Sequence, residues 1–324
     1  MNIDMIDAAA TRIKGHARET PLLSSPFLDE VAGRRVLVKA ECLQHTGSFK
    51  YRGARAALSA LPKGATGVLA CSSGNHAQGV ALAARELGLA AVILMPSDAP
   101  RVKLENTAAL GAEVVTYDRA TTDRDVLAAD MARARGLELI HPFDNPQVIA
   151  GQGSVGLEIA AQAHMAPADV LVCCGGGGLT AGIALALEAR APGLRVRPVE
   201  PEGFDDTAQS LAAGRIVKNP ARAGLCDAIL TPAPGKLTFP ILHRLCGPGL
   251  VVSDAQVLAA MALAQDRLKL VLEPGGAVAL AAALFRPDAV QGDTVIAVAT
   301  GGNVDRDIFI RALHHGVSDA HRPA

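Results

Sequence analysis

The sequence predicts an α/β protein with parallel sheets flanked by helices, and three observations carry that reading. Short aliphatic or β-branched runs alternate with longer Ala-rich segments along most of the 324 residues. The runs are apolar almost throughout rather than at every second position, as expected of strands buried on both faces. Loops of glycine and small polar residues follow several runs directly, at the carboxyl ends of strands where parallel sheets place their ligand sites.

In chain order the expected strands are RRVLVKAE, GVLACSS, AAVILMP, AEVVTYD, LELIHP, DVLVCCGGGG, RVRPVEP and DTVIAVATGG. Between some of them, HAQGVALAARELGL, RVKLENTAALG and DRDVLAADMARARGL carry apolar residues at spacings of three and four, the helical pattern. The length exceeds what one hydrophobic core usually supports, and no repeat of fixed period or long Pro/Gly/Ser linker separates independent units. Two interleaved domains are expected: residues 53–145 as the smaller, and residues 1–52 joined to 146–324 as the larger.

Composition narrows the function. The chain is 50% hydrophobic and 19% charged with a formal net charge of -1, which gives no electrostatic footprint for nucleic acid or an anionic membrane. A small-molecule partner is expected. No stretch of about 18 uncharged apolar residues occurs, so no membrane span is expected. The opening MNIDMIDAAATRIKGHARETP breaks its apolar residues with charges, unlike a signal peptide, and a cytoplasmic location follows as an expectation. The six cysteines lack CxxC spacing and are read as reduced core thiols.

Gly175, Gly176, Gly177 and Gly178 lie between the strand DVLVCC and the helix-like LTAGIALALEA. The first N–H groups of a helix have no partner within it, and glycine lets them converge on an anion. A tight turn without ligand is the plainer reading, but four consecutive glycines exceed what a turn needs, so a phosphate cradle is preferred. The run is neither a P-loop nor a GxGxxG dinucleotide loop.

Lys50 is one of eight lysines beside 23 arginines. Lysines are ordinarily surface residues. This one follows Gly47, Ser48 and Phe49 and precedes a small-residue helix start, a context that suggests a pocket wall. Desolvation there would lower the amine pKa and make it a nucleophile toward an aldehyde.

Six segments then coincide in order: HTGSFKYRGA around Lys50, SSGNHAQGVA from Ser72, GQG at Gly151 to Gly153, CGGGGL from Cys174, EPGGA from Glu273 and TGGNVD from Thr300. With these the chain resembles the fold-type-II pyridoxal-5'-phosphate (PLP) enzymes of the serine/threonine dehydratase group, which also holds serine racemases and hydroxyaspartate dehydratases. The resemblance implies a two-domain, tryptophan synthase β-like fold, PLP as cofactor and a homodimer.

It also implies residue roles. Lys50 would bond the cofactor and Phe49 would pack beside its ring, with Asn75 on the ring hydroxyl and Gly175 to Gly178 on the phosphate. Thr300 would face the pyridine nitrogen, leaving it largely unprotonated and favouring elimination, and Glu273 would join the pocket. The substrate carboxylate would meet Ser72, Ser73, Gly74, Asn75 and His76, with Ser73 opposite Lys50 as a second proton carrier. In VEPEGFDD, Glu200, the carbonyl of Phe204 and Asp206 would bind Mg²⁺ or Ca²⁺, oxygen ligands suiting either ion.

Relatives commonly read Ala-Asp-Gly after the metal segment, whereas this chain has Cys226-Asp227-Ala228, which leaves substrate fit open. The chain also ends about twenty residues past TGGNVD, so no regulatory domain of the biosynthetic dehydratases is expected. The implied activity is a threonine or serine ammonia-lyase yielding a 2-oxo acid and ammonia. Serine racemase is the nearest alternative. A 3-hydroxyaspartate dehydratase would need an added cation, for which His45 and Arg52 are candidates. SSGNHA differs from the TSGNTG of cysteine synthases, and a non-catalytic PLP- or phosphate-binding protein is the alternative of a different class.

Overall fold

A computed structural model describes residues 1–99, 101–163, 167–220 and 223–315. Ten strands are found among them: β1 (Leu22–Ser24), β2 (Arg35–Lys39), β3 (Gly67–Cys71), β4 (Ala90–Pro96), β5 (Glu113–Tyr117), β6 (Glu138–Leu139), β7 (Ala168–Cys173), β8 (Leu194–Pro201), β9 (Leu250–Val252) and β10 (Thr294–Val298). They build a six-stranded sheet in the order β1-β2-β10-β7-β8-β9 and a four-stranded sheet in the order β5-β4-β3-β6. All pairings are parallel except that of β1 with β2.

Each of the eight strands expected from sequence is present. β1 and β9 were not expected, and β1 is the single antiparallel member, so the larger sheet is mixed rather than purely parallel. The smaller sheet takes all its strands from residues 67–139. The expected division at residue 52 falls inside the helix Lys50–Leu58, which packs on both Asn75–Leu87 and Pro146–Gln162. That helix therefore packs against elements of both parts.

The continuous apolar runs are buried as their pattern requires. Val170, Leu171 and Val172 of β7 and Ile296, Ala297 and Val298 of β10 have no exposed surface. Each large aliphatic side chain so buried contributes about 1.5–3 kcal/mol. The helix Pro274–Phe285 is buried at every position, and its alanines let it lie close against the strands. Among the described residues no helix is long and apolar enough to cross a membrane.

Some helix starts carry side-chain caps. Asn145 accepts hydrogen bonds from the N–H groups of Gln147 and Val148 ahead of Pro146, and Ser253 forms a capping box with Gln256. Two starts differ. The helices Asn75–Leu87 and Gly178–Arg190 are preceded by Gly74 and Gly177, neither of which supplies a side-chain cap. Both begin directly behind strands, β3 and β7.

Candidate active site

Lys50 opens the helix Lys50–Leu58, and its Nζ donates to the carbonyl of Pro142 at 3.1 Å. Desolvation brings its pKa down to about 8, with Cys173 and Glu273 near enough to oppose the shift in part. A larger fraction of neutral amine is thus present near neutrality than on an ordinary lysine. Phe49 lies beside it, 5.1 Å from ring centroid to Nζ, and packs on the core of the larger sheet. The Phe49 N–H donates to the carbonyl of Thr300, which ties the lysine segment to the end of β10.

The glycine loop is held from both sides. Gly176 offers its carbonyl to the Thr238 hydroxyl at 2.7 Å and to the Gly235 N–H at 3.1 Å. Gly177 has φ +86°, a left-handed conformation natural to glycine. A Cβ on Gly176 would run into the ring of Phe143, and one on Gly178 would lie 3.0 Å from the Phe143 Cα. No recorded hydrogen bond uses the N–H groups of Gly176, Gly177, Gly178 or Leu179 among the described residues, so these donors remain for an anion. This cradle fits a phosphate group.

Lys50 and the cradle are joined through consecutive residues. Pro142 accepts from Lys50 and Phe143 presses on Gly176 and Gly178. On one side Ile140 accepts from His76 Nε2 at 3.0 Å; on the other Asp144 accepts from the N–H groups of Lys236 and Leu237. The stretch 140–144 thus touches the lysine, the Asn75 helix, the glycine loop and the loop before Thr238.

The Ser72 to His76 loop enters the helix Asn75–Leu87. Ser72 Oγ accepts from the Gly74 N–H at 3.1 Å, while Ser73 is partly exposed. Asn75 donates to Glu273 Oε1 at 2.6 Å and accepts from Asn303 Nδ2 at 2.7 Å, leaving one amide hydrogen free. Burial pushes Glu273 up to about 7, with the Asn75 hydrogen bond acting against the rise. The imidazole of His76 is buried against Ile140 and its pKa falls to about 3, so it stays neutral. His76 can meet a carboxylate only through its backbone, and its side chain is not part of an open loop.

Thr300 is buried at the end of β10, where its Oγ1 lies 2.9 Å from Cys173 Sγ. At the other expected site, Glu200 accepts from the N–H groups of Thr207 and Ala208, and Asp206 accepts from Asn219 Nδ2 at 3.1 Å. The second oxygen of Asp206 is buried without a partner. Phe204 lies buried between these acids in sequence. No group of three or more His, Cys, Asp or Glu side chains gathers as a metal site among the described residues, so protein carbonyls and water would have to complete the set.

Of the two side chains considered for a second carboxylate, Arg52 is already engaged. Arg52 is 1% exposed and bonds both oxygens of Glu41 and both of Glu158, while His45 stands edge-on to Tyr51 at 5.1 Å. Sequence reasoning passed over Lys103. It reaches across from the helix Arg101–Ala109 to Asp227 at 3.1 Å and lies near enough to Glu273 to be raised by it. Asp227 belongs to the Cys226-Asp227-Ala228 segment, and the Ala228 methyl stands 3.1 Å from the position of a Cβ on Gly275, beside Glu273.

Known proteins are similar to this chain over nearly all of its length. The family described as pyridoxal-phosphate dependent enzyme matches residues 13–301. An L-threo-3-hydroxyaspartate ammonia-lyase of a Pseudomonas species is 43% identical, over 94% of this chain and 96% of its own length. The crystal structure of a threonine deaminase from T.th. superposes with a TM-score of 0.89 at 45% identity, covering 94% of this chain and 99% of that one. Maize serine racemase superposes at 0.91 with 35% identity, covering 99% of each chain.

Proposed function

This chain belongs to the family of pyridoxal-phosphate-dependent enzymes, and from that premise we propose that it is an ammonia-lyase converting a small hydroxy-amino acid, threonine or serine, to a 2-oxo acid and ammonia. The observation that carries the reading is Lys50, an amine brought down to about 8 and tied through Pro142 and Phe143 to a glycine loop with free N–H donors. Relatives at 36–43% identity include ammonia-lyases for hydroxyaspartate and for threonine.

When bound, PLP supplies an aldehyde for the substrate amine and a ring that draws electrons from Cα. Lys50, Phe49 and Asn75 hold it, with Gly175 to Gly178 on its phosphate. The lowered pKa of Lys50 lets its neutral amine take the Cα proton. The N–H groups at the start of the helix Asn75–Leu87, with Ser72, orient the substrate carboxylate. Thr300, a hydroxyl in place of a carboxylate, gives the ring nitrogen no strong acid, which suits loss of the β-hydroxyl as water. Hydrolysis of the remaining enamine yields the 2-oxo acid and ammonia. Ser73 returns a proton to Cα in the racemase reading, which the likeness to serine racemase supports.

A dicarboxylic substrate is favoured by one observation of its own. Lys103 stands at the rim near Glu273, paired with a single aspartate, where the β-carboxylate of 3-hydroxyaspartate could draw it from Asp227. Glu200, the carbonyl of Phe204 and Asp206 hold Mg²⁺ or Ca²⁺ in the same reading, the unpaired Asp206 oxygen being the support. We also take the enzyme to be a cytoplasmic homodimer, which sedimentation checks for the assembly. The deciding experiment is 2-oxo acid release from L-serine, L-threonine and L-threo-3-hydroxyaspartate, with and without Mg²⁺. Release from none of them, or release that survives Lys50→Ala, rejects the lyase.

A further inference from the structure

Two neutral donors meet where β7 and β10 end. These strands are parallel neighbours with Val172 opposite Val298, so Cys173, one residue past that pair, and Thr300, two residues past it, reach the same sheet edge. Their Sγ and Oγ1 atoms are 2.9 Å apart and both residues are buried, Cys173 to 4% and Thr300 to 3% exposure. Lys50 and Glu273 lie within electrostatic reach of the thiol. No other hydrogen-bond acceptor is recorded for the Cys173 side chain among the described residues.

We propose that Cys173 is a positioning residue that fixes the direction of the Thr300 hydroxyl, so that Thr300 donates to the cofactor's pyridine nitrogen and opposes its protonation. The proposal rests on the PLP reading above. A thiol is both a weak donor and a weak acceptor, whereas a hydroxyl does both well and a ring nitrogen is the stronger acceptor. Offered a ring nitrogen on one side and Sγ on the other, the Thr300 O–H turns to the nitrogen, and the S–H fills the oxygen lone pair left behind. The chain runs S–H to O–H to N, each bond polarising the next.

Protonating the ring nitrogen would reverse that chain. Thr300 would have to accept from the new N–H, turn its own hydrogen toward sulfur, and leave the S–H without an acceptor. Burial pushes the Cys173 thiol up to about 12, so ionisation does not relieve the conflict at neutral pH. The thiol thereby restrains the ring as an electron sink. No net bond is made or broken, and no proton leaves the pair.

The test uses protein loaded with PLP labelled with ¹⁵N in the ring, whose chemical shift reports the protonation of that nitrogen. Wild type should give the unprotonated, hydrogen-bonded signal across neutral pH. In Cys173→Ala the reversal costs nothing at sulfur, and the proton affinity of the ring nitrogen should rise about fivefold, the worth of one hydrogen bond. Cys173→Ser keeps the size and a donor, but its hydroxyl accepts as readily as it donates, so the signal should move in the same direction. A merely structural role would be rescued by serine.

Unchanged signals in both variants overturn the proposal, as does a shift in alanine with none in serine. A protonated nitrogen in wild type overturns it also. Wild type that takes up no cofactor, showing no visible absorbance, rejects instead the PLP reading on which it rests.

Discussion

Replacing Gly177 with alanine tests whether the glycine loop is built for a bound phosphate or is only a turn. Two costs can be read from the geometry. Gly177 has φ +86°, and an L side chain in the left-handed region costs about 1–2 kcal/mol. The new Cβ would also sit 2.8 Å from Leu242 Cδ1 and 3.1 Å from Thr238 Oγ1, crowding that costs about 1–3 kcal/mol. Thr238 cannot retreat freely because its hydroxyl supports the Gly176 carbonyl. The sum, about 2–5 kcal/mol, is relieved in the free protein if the loop shifts, but not while a phosphate fixes the N–H groups. PLP affinity should therefore fall at least about thirtyfold, which absorbance titration of the apo-protein measures.

Gly88→Ala is the control. Gly88 has φ +68° at a helix end with nothing within 4 Å of its Cβ position, so it carries backbone strain without crowding and away from the loop. That variant should lose about 1–2 kcal/mol of stability and bind PLP as wild type does. If Gly177→Ala binds within threefold of wild type, the cradle reasoning is wrong.

Other expectations concern charge. Since the Lys50 amine has a pKa of about 8 and must be neutral to capture an aldehyde, the rate at which apo-protein takes up PLP should rise with pH and level off above that value; a rise continuing toward the ordinary lysine pKa of 10.5 refutes the lowered value. The same shift makes the folded state bind its proton less tightly than the unfolded chain, so this group adds stability as pH rises from 8 toward 10.5. Arg52→Ala leaves Glu41, which is fully buried, and Glu158 without their main partner and should cost about 3–5 kcal/mol in urea unfolding, whereas a loss under 1 kcal/mol would falsify the network's importance. Mg²⁺ or Ca²⁺ at a hundred times its dissociation constant should add about 2.7 kcal/mol of stability, and Asp206→Asn should abolish the gain; equal melting shifts in both proteins would remove Asp206 from the site.

Much of the fold was legible because the main strands are long enough to announce themselves. β2, β3, β4, β7 and β10 each hold a run of aliphatic residues that only a doubly covered sheet can hide. β1 and β9 are three residues long, between Pro21 and Ser25 and after Gly249, and nothing local shows that β1 runs antiparallel beside β2. In the site, Lys50, Asn75, the glycines and Thr300 stood out within their motifs. Arg52 misled because the charges that engage it, Glu41 and Glu158, lie 11 and 106 residues away in the chain. Lys103 and the Cys173–Thr300 contact carry no local signature, and Asn303 stood within TGGNVD without a role, since each becomes relevant only through a partner from a distant segment.

The stretch from Ile140 to Asp144 sets a limit on how this protein can vary. Ile140 still pairs with β3 through its N–H, which bonds the Leu69 carbonyl, while Asp144 is fastened to the loop before Thr238. Between those anchors Pro142 and Phe143 keep one spacing to Lys50 and another to the glycines. One residue added there could not satisfy all four attachments at once, whereas the exposed turn at Arg119 and Ala120 could lengthen without consequence. Length in this segment is therefore as constrained as identity, and a single-residue insertion should disable the protein more completely than most substitutions within it.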